Sequence, residues 1–193
     1  MNIAIESPMI PGTILKRVDM GNVTGIEFLN KIFYITDGIM LTQIRDISGI
    51  DGTTLQNWTK RGWVENAKLK RYNKDQLAHI LIINMLRSCM QLDRIAFVIR
   101  YINGSVSDRS DDIIGDSELY DYICRILDEL IKGEACTPEG VRLCVSKVTA
   151  HYEERITGAR KRLEKALEII VFAYYASLLK QYSDHMTEKL MKG

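Results

Sequence analysis

Apolar residues recur every three or four positions through most of this 193-residue chain, and residues that start or stop helices separate one repeat from the next. This spacing places the apolar side chains on one face of a helix. The pattern therefore predicts an all-α protein. At this length, one domain or a small domain with an appendage can bury a sizeable core.

Two short helices are predicted between residues 41 and 62. Thr42 is the expected N-cap of the first helix, and Gly49 lies just past its end. Thr53 or Thr54 is the expected N-cap of the second helix, which ends at Gly62. Two short helices joined by a tight turn that contains glycine make a helix-turn-helix unit.

The residues after this unit change character. Residues 63–72 lack helical spacing and predict a short wing, either two-stranded or loop-like. Asn73 and Gln76 then have the spacing of a capping box, which predicts a helix over residues 74–90. Another helix is expected over residues 92–102.

The best linker candidate is the polar, acidic stretch of residues 105–112. We therefore expect three parts. Residues 1–35 form an N-terminal arm docked on the body, residues 36–104 form the helix-turn-helix domain, and residues 105–193 form a C-terminal helical domain.

The C-terminal part is predicted to be almost wholly helical. One helix is expected over residues 117–132, and Thr137 followed by Pro138 is a strong start signal for the next. The helical pattern then continues to residue 192, and Gly158 allows a break in it. Seven apolar residues have a heptad-like rhythm that packs either within the chain or against a second copy: Leu163, Ala166, Leu167, Ile170, Val171, Tyr174 and Leu178.

Charge is concentrated in one window. The whole chain has a net charge of +1, with 26 basic and 25 acidic residues. Residues 53–74 contain six basic residues and one acid, a net charge of +5, which leaves −4 for the rest of the chain. A nearly neutral protein with one basic patch is typical of a localised contact with nucleic acid.

The residue types in this window suit a recognition helix in the major groove, about Thr53–Arg61, followed by a short basic wing. Short polar side chains near the start of such a helix reach base edges, and flanking cations hold phosphates. The base-reading candidates are Thr53, Thr54, Gln56 and Asn57, and the phosphate-binding candidates are Lys60, Arg61, Lys68, Lys70 and Arg71.

Three segments carry a resemblance to a known family: residues 54–64 (TLQNWTKRGWV), 70–77 (KRYNKDQL) and 92–95 (LDRI). Their spacing is similar to that of the DNA-binding domain of MerR-type regulators. The resemblance implies a winged helix-turn-helix with a small β wing. Gln56 stands where that family has an arginine that supports phosphate contact.

Over most of its length the chain more closely resembles a bacterial family catalogued as domain of unknown function 1836. Residues 102–104 (ING), 111–114 (DDII) and 119–120 (LY) contribute to this second resemblance. It implies a bacterial source and no assigned activity.

Sequence features of enzymes and membrane proteins are missing. There is no glycine-rich phosphate loop after a strand and no serine or cysteine nucleophile motif, so we expect no enzyme and no cofactor. Cys136 and Cys144 are interpreted as buried reduced cysteines, which leaves no metal site. The cysteine usage, with no signal peptide and no apolar run of membrane length, predicts a cytoplasmic protein.

The sequence therefore predicts a sequence-specific transcription regulator that binds double-stranded DNA and forms a homodimer through its C-terminal helices, with its effector left open. Two alternatives remain. Gln56 and the near-neutral net charge favour a protein-interaction module of the same fold. A small-molecule sensor would have its pocket among aromatic residues, namely Tyr120, Tyr122, Phe172, Tyr174 and Tyr175.

Overall fold

The computed structural model describes residues 7–104, 112–133 and 136–192, and within these ranges the chain forms α-helices and no β-strand. In chain order the helices are α1 (Gly25–Ile32), α2 (Leu41–Ser48), α3 (Gly52–Lys60), α4 (Lys74–Leu86), α5 (Leu92–Asn103), α6 (Asp116–Lys132), α7 (Pro138–Val148) and α8 (Ala159–Lys192). Short 3-10 helices lie at Val18–Met20 and Thr149–His151. The predicted all-α class is confirmed.

Helix α4 lies at the centre of the structure. Ten of its thirteen residues are buried, because it packs against α2, α5, α6 and α8. Helix α6 also packs against α1 and α7, while α5 and α7 pack against α8. The core therefore runs from the helix-turn-helix region into the C-terminal helices. Residues 105–111 of the predicted linker lie outside the described residues, and the division into three domains stays a prediction.

The N-terminal arm packs against α6. Phe28 and Leu29 of α1 are fully buried. Two residues that precede α1 bond to α6. The carboxylate of Asp128 accepts a hydrogen bond from the Arg17 guanidinium (2.6 Å) and another from the Thr24 hydroxyl (2.9 Å). Apolar burial and charge-assisted hydrogen bonds together hold the arm in place.

Two predicted helix starts are confirmed. Asn73 caps α4 by accepting from the N–H of Gln76 (2.9 Å), and the Gln76 side-chain oxygen accepts from the N–H of Asn73 (3.0 Å). This reciprocal pair satisfies two backbone donors at the helix start. Thr137 caps α7 by accepting from the N–H of Gly140 (3.1 Å), and Pro138 is the first helical residue.

Two predicted N-caps are wrong. Helix α2 begins one residue before Thr42, because the Gln43 side chain accepts from the Met40 N–H (2.9 Å) and closes the helix start there. Helix α3 is capped by Asp51, because its carboxylate accepts from the N–H of Thr54 (2.9 Å). Both threonine candidates for that cap therefore lie in the first turn of α3.

Helix α4 ends at Leu86, four residues earlier than predicted. The backbone N–H groups of Cys89 and Met90 both fold back onto the Leu86 carbonyl oxygen, so the chain turns there before α5 begins. The break that the sequence allowed near Gly158 is present. Residues 152–158 are not helical, and Gly158 itself has a φ of +82°.

Helix α8 is buried in its first half and exposed in its second. All seven residues of the heptad-like rhythm are buried, so this stripe packs within the chain. Four exposed apolar side chains follow at three- and four-residue spacing: Leu179, Tyr182, Met186 and Leu190. None of the helices in the described ranges combines the length and the apolar content that a membrane crossing needs.

Candidate nucleic-acid interface

The turn between α2 and α3 is fixed by local contacts. Gly49 has a φ of +70°, and a Cβ at this position would lie 2.8 Å from a side-chain carbon of Ile14. Glycine is required there on both grounds. The Ser48 hydroxyl donates to the Ile44 carbonyl oxygen (2.6 Å) and accepts from the Ile50 N–H (3.2 Å). These contacts set the direction in which α3 leaves α2.

Helix α3 has one apolar face and one polar face. Leu55 and Trp58 are 1% and 2% exposed and hold the helix against the core. Four other residues are spaced i, i+3, i+4 and i+7, which makes them one stripe of the helix. These residues are exposed and comprise Thr53, Gln56, Asn57 and Lys60. Most of the base-reading candidates therefore share one exposed face with a cation.

Thr54 has different surroundings from the other base-reading candidates. It is half-buried, and both its N–H (2.9 Å) and its hydroxyl (2.5 Å) donate to the carboxylate of Asp51. Those two hydrogen bonds hold the pKa of Asp51 below its ordinary value. A charged carboxylate therefore lies at the start of α3, where it complements the positive end of the helix dipole.

Lys60 and Arg61 lie at the C-terminal end of α3, and both are exposed. The guanidinium carbon of Arg61 is 5.1 Å from the centroid of the Trp63 ring, a cation–π contact. The backbone N–H of Trp63 donates to the Trp58 carbonyl oxygen (3.0 Å), so the chain passes directly from α3 into the wing. The sequence did not predict this link.

The wing, residues 63–72, ends in a tight turn. Lys68 and Arg71 face each other through two backbone hydrogen bonds of 3.0 and 2.9 Å. The two residues between them, Leu69 and Lys70, both have positive φ, +50° and +61°. Within these residues, all of which the structure describes, the pairing consists of isolated bridges and does not extend into strands.

The base of the wing is anchored to the segment before α2. Tyr72 and Ile39 exchange two backbone hydrogen bonds of 2.8 and 2.9 Å. The Arg71 guanidinium donates to the Gly38 carbonyl oxygen (2.8 Å), so one of its N–H groups is used within the fold. Lys68 and Lys70 extend from the wing as exposed side chains.

The cations of α3 and the wing have no acidic partner among the residues that the structure describes. Within the part of the chain that the structure describes, no ion pair includes any of the five phosphate-binding candidates. Nearby, Lys74 donates to the side-chain oxygen of Asn30 (2.8 Å). This surface therefore combines exposed amide and hydroxyl groups with positive charge that no described acid pairs with.

A buried polar network behind the wing was missed at the sequence level. On α4, Nε2 of His79 lies 2.8 Å from the Trp63 carbonyl oxygen, and Nδ1 lies 3.1 Å from the Asp116 carboxylate. Gln76 donates from its side chain to the Asn66 carbonyl oxygen (3.0 Å). Two polar residues one helical turn apart within the apolar run of α4 are the signal that could have indicated this network.

The aromatic residues of the sensor alternative are spread through the core. Tyr120 is fully buried, its hydroxyl donates to the Pro11 carbonyl oxygen (2.7 Å), and burial raises its pKa. Tyr174 lines a cavity of about 380 Å³ between the arm, α4 and α8. The other four aromatic residues do not line that cavity.

Cys136 and Cys144 are not joined by a disulfide. Cys144 is buried, and Cys136 is partly buried with a pKa that burial raises. In residues 7–104, 112–133 and 136–192, no group of three or more His, Cys, Asp or Glu side chains is arranged to hold a metal ion.

Comparison with known proteins finds a match over the part of the chain that contains α3 and the wing. The profile of a family described as Domain of unknown function (DUF1836) matches residues 26–123, just over half of the chain, from α1 into α6. Uncharacterized protein YkrK of Bacillus subtilis (strain 168) is 27% identical over 96 residues, which are 48% of this chain. The chain spans 41% of the length of that relative. No solved structure matches.

Proposed function

The chain belongs to the family described as Domain of unknown function (DUF1836), and we propose that it is a sequence-specific DNA-binding transcription regulator with a MerR-like winged helix-turn-helix. Helix α3 enters the major groove, and the wing lies against the neighbouring stretch of the same duplex. The protein acts without catalysis and without a cofactor.

The supporting observation is the surface of α3 and the wing. A polar helix face is flanked by five cations that form no ion pair within the described residues. Clustered like charges repel one another in the free protein, and a polyanion relieves that repulsion while it releases counterions. The apolar face of α3 is buried, so the polar face is the one available to a partner.

The roles follow from position on the helix. Gln56 and Asn57 read base edges, for which adenine is the natural partner, and Thr53 supports them. Lys60 and Arg61 hold phosphates at the end of α3. Thr54 positions the helix start through Asp51 and does not read bases.

The wing supplies the second set of phosphate contacts. Lys68 and Lys70 extend toward the backbone of the duplex. Arg71 contributes the N–H groups that its bond to Gly38 leaves available. An arginine guanidinium has five N–H donors in a fixed planar geometry, so Arg71 can donate to Gly38 and to a phosphate at the same time.

We also propose that the regulator is a homodimer through the end of α8. Leu179, Tyr182, Met186 and Leu190 form an exposed apolar stripe on that segment, which suits pairing with a second copy. A two-fold dimer would bind two half-sites in a palindromic operator. Met186→Glu should convert a dimer into a monomer in sedimentation velocity, and an unchanged sedimentation coefficient would contradict this interface.

The DNA-binding proposal is tested by fluorescence anisotropy over a salt series. The probes are a duplex from immediately upstream of the protein's own gene and a scrambled duplex of the same composition. We expect selective binding to the first, with the logarithm of the binding constant falling linearly with the logarithm of the salt concentration. Lys60→Glu/Arg61→Glu should abolish this binding.

The matched control is Lys161→Glu/Lys165→Glu. It makes the same change in net charge at two exposed lysines of α8 and should bind as the wild type does. Equal, weak binding of both duplexes by all three proteins would contradict a DNA regulator. That result would favour the protein-interaction alternative, with the same surface facing a protein partner.

A further inference from the structure

The tip of the wing has an unusual residue for its backbone conformation. Two-residue hairpin turns with positive φ at both central positions normally carry Asn-Gly or Asp-Gly. Here the two positions are Leu69 and Lys70, with φ of +50° and +61°. Leucine is disfavoured in this conformation because its Cβ crowds the following carbonyl oxygen. Its presence therefore does not serve the turn.

Leu69 does not serve the core either. Its side chain is 96% exposed, more than any other large apolar residue that the structure describes. A scattered exposed leucine is ordinary. This one is both exposed and in a conformation that favours other residues, so its use lies outside the fold.

The tip is held on a rigid support. The backbone pair of Tyr72 with Ile39 and the Arg71–Gly38 hydrogen bond fix one side of the wing. On the other side, the Gln76 side chain of α4 donates to the Asn66 carbonyl oxygen. These contacts fix the place of the wing, and with it the place of Leu69, relative to α4 and to the segment before α2.

The neighbours of Leu69 identify that partner. Lys68 and Lys70 flank the leucine in the chain, Arg71 pairs with Lys68 across the turn, all three are exposed, and none forms an ion pair within the described residues. A single exposed apolar side chain flanked by cations matches a polyanion with an apolar interior, which is duplex DNA with its stacked bases. A lipid surface would need a larger apolar area for stable attachment.

We propose that Leu69 is an apolar wedge that enters the minor groove between two base pairs and kinks the duplex, beside the major groove that α3 occupies. This inference rests on the proposed DNA binding. Apolar side chains inserted at a base step unstack it and bend the duplex, and pyrimidine–purine steps yield most easily. Leu69 would thus add specificity for a flexible step that no polar side chain of the protein contacts.

The test uses the full chain and the upstream duplex, with a dye at each end and 2-aminopurine at each pyrimidine–purine step in turn. Wild-type protein should raise energy transfer between the dyes and raise 2-aminopurine fluorescence at one step. Leu69→Asn should lose both signals and bind about tenfold more weakly. Its salt dependence should stay unchanged because no charge is removed, and its Tm should be equal or higher because asparagine suits the turn.

Leu143→Asn, at an exposed leucine of α7, is the matched control and should bend DNA as the wild type does. Bending by Leu69→Asn equal to wild type would overturn the wedge while DNA binding stands. Failure of the wild type to bind any duplex would overturn the proposed function and the wedge together. The same variant is also tested for binding to vesicles of equal parts phosphatidylcholine and phosphatidylserine. If Leu69→Asn loses vesicle binding but still bends DNA as the wild type does, the wing tip is a membrane contact and the wedge is wrong.

Discussion

Two basic residues of α8 have surroundings that differ from those of the basic residues on α3 and the wing. On α8, Arg160 pairs with Glu164 (2.9 Å) and Lys180 pairs with Asp184 (2.6 Å). On α3 and the wing, the five exposed cations have no ion pair within the described residues. Part of the charge on α8 is thus compensated by neighbouring acids, although Lys161 and Lys165 form no ion pair within the described residues either, whereas none of the cations on α3 and the wing has a described acidic partner.

The two regions also differ in how they are held. The C-terminal helices bury broad apolar faces against one another, as the buried heptad-like stripe of α8 illustrates. The wing buries three apolar residues near its ends, Trp63, Val64 and Tyr72, and is otherwise held by hydrogen bonds to α4 and to the segment before α2. Its position therefore depends on a few polar contacts.

Breaking the strongest of those contacts should have the largest effect. His79→Ala removes the side chain that joins α4 to the Trp63 carbonyl oxygen and to Asp116, and it leaves a cavity in the core. We expect the free energy of unfolding to fall by about 3 kcal/mol in urea titrations. DNA affinity should fall as well, because the wing loses its support.

His185→Ala is the control for that variant. His185 lies on the exposed end of α8, and its removal should change the free energy of unfolding by less than about 0.5 kcal/mol. Equal losses from the two substitutions would contradict the assignment of His79 to a buried supporting role.

The second prediction separates base reading from phosphate binding inside the basic region. Gln56→Ala should reduce the preference for one base pair by about 1–3 kcal/mol, because one bidentate contact is lost. Lys70→Ala should weaken binding to all DNA sequences alike. It should also reduce the magnitude of the slope of log binding constant against log salt concentration by about 1. Competition assays with single-base variants of the duplex distinguish the two, and a uniform loss from Gln56→Ala would contradict its base-reading role.

Local chemistry explains which parts of the fold were predictable. The Asn73–Gln76 capping box and the Thr137-Pro138 start depend on residues within four positions of one another, so their signal is complete in the sequence. The burial of Leu55 likewise follows from helical spacing alone. These two helix starts and this buried position are specified by neighbours in the chain and were predicted correctly.

Some of the parts that were missed are local, and others depend on distant residues. Asp51, Thr53 and Thr54 are all capable N-caps, and in the structure Asp51 takes that role by accepting from the Thr54 N–H. The turn at the wing tip has Leu69 and Lys70 at its two central positions. It lacks the glycine or asparagine that would have indicated it in the sequence. The two partners of the buried histidine network on α4 and α6 are 37 residues apart in the chain.

The third prediction concerns the acid beside the base-reading face. Asp51→Asn keeps a capping side chain but removes a negative charge, so DNA affinity should rise roughly 2- to 5-fold at low salt. Glu139→Gln, in the first turn of α7, makes the same change in net charge in the other region and should leave affinity unaltered. A similar rise from both variants would mean that net charge alone sets affinity.

The same substitution has a signature in the pH dependence of stability. Because hydrogen bonds from Thr54 lower the pKa of Asp51 in the folded state, this group stabilises the fold above its unfolded pKa. That contribution is lost as the pH falls through the lower, folded-state pKa. Asp51→Asn should lack this step in urea unfolding at acid pH, whereas Glu139→Gln should retain it.

The smallest expected effect tests the comparison most directly, with one lysine from each region. Lys180→Ala breaks an exposed ion pair with Asp184, so the free energy of unfolding should fall by about 0.2–1 kcal/mol and DNA affinity should not change. Lys60→Ala removes a cation that repels its neighbours, so stability should be unchanged or slightly higher while DNA affinity falls. A loss of stability from Lys60→Ala equal to that from Lys180→Ala would mean that Lys60 is compensated within the chain, and the contrast between the two regions would disappear.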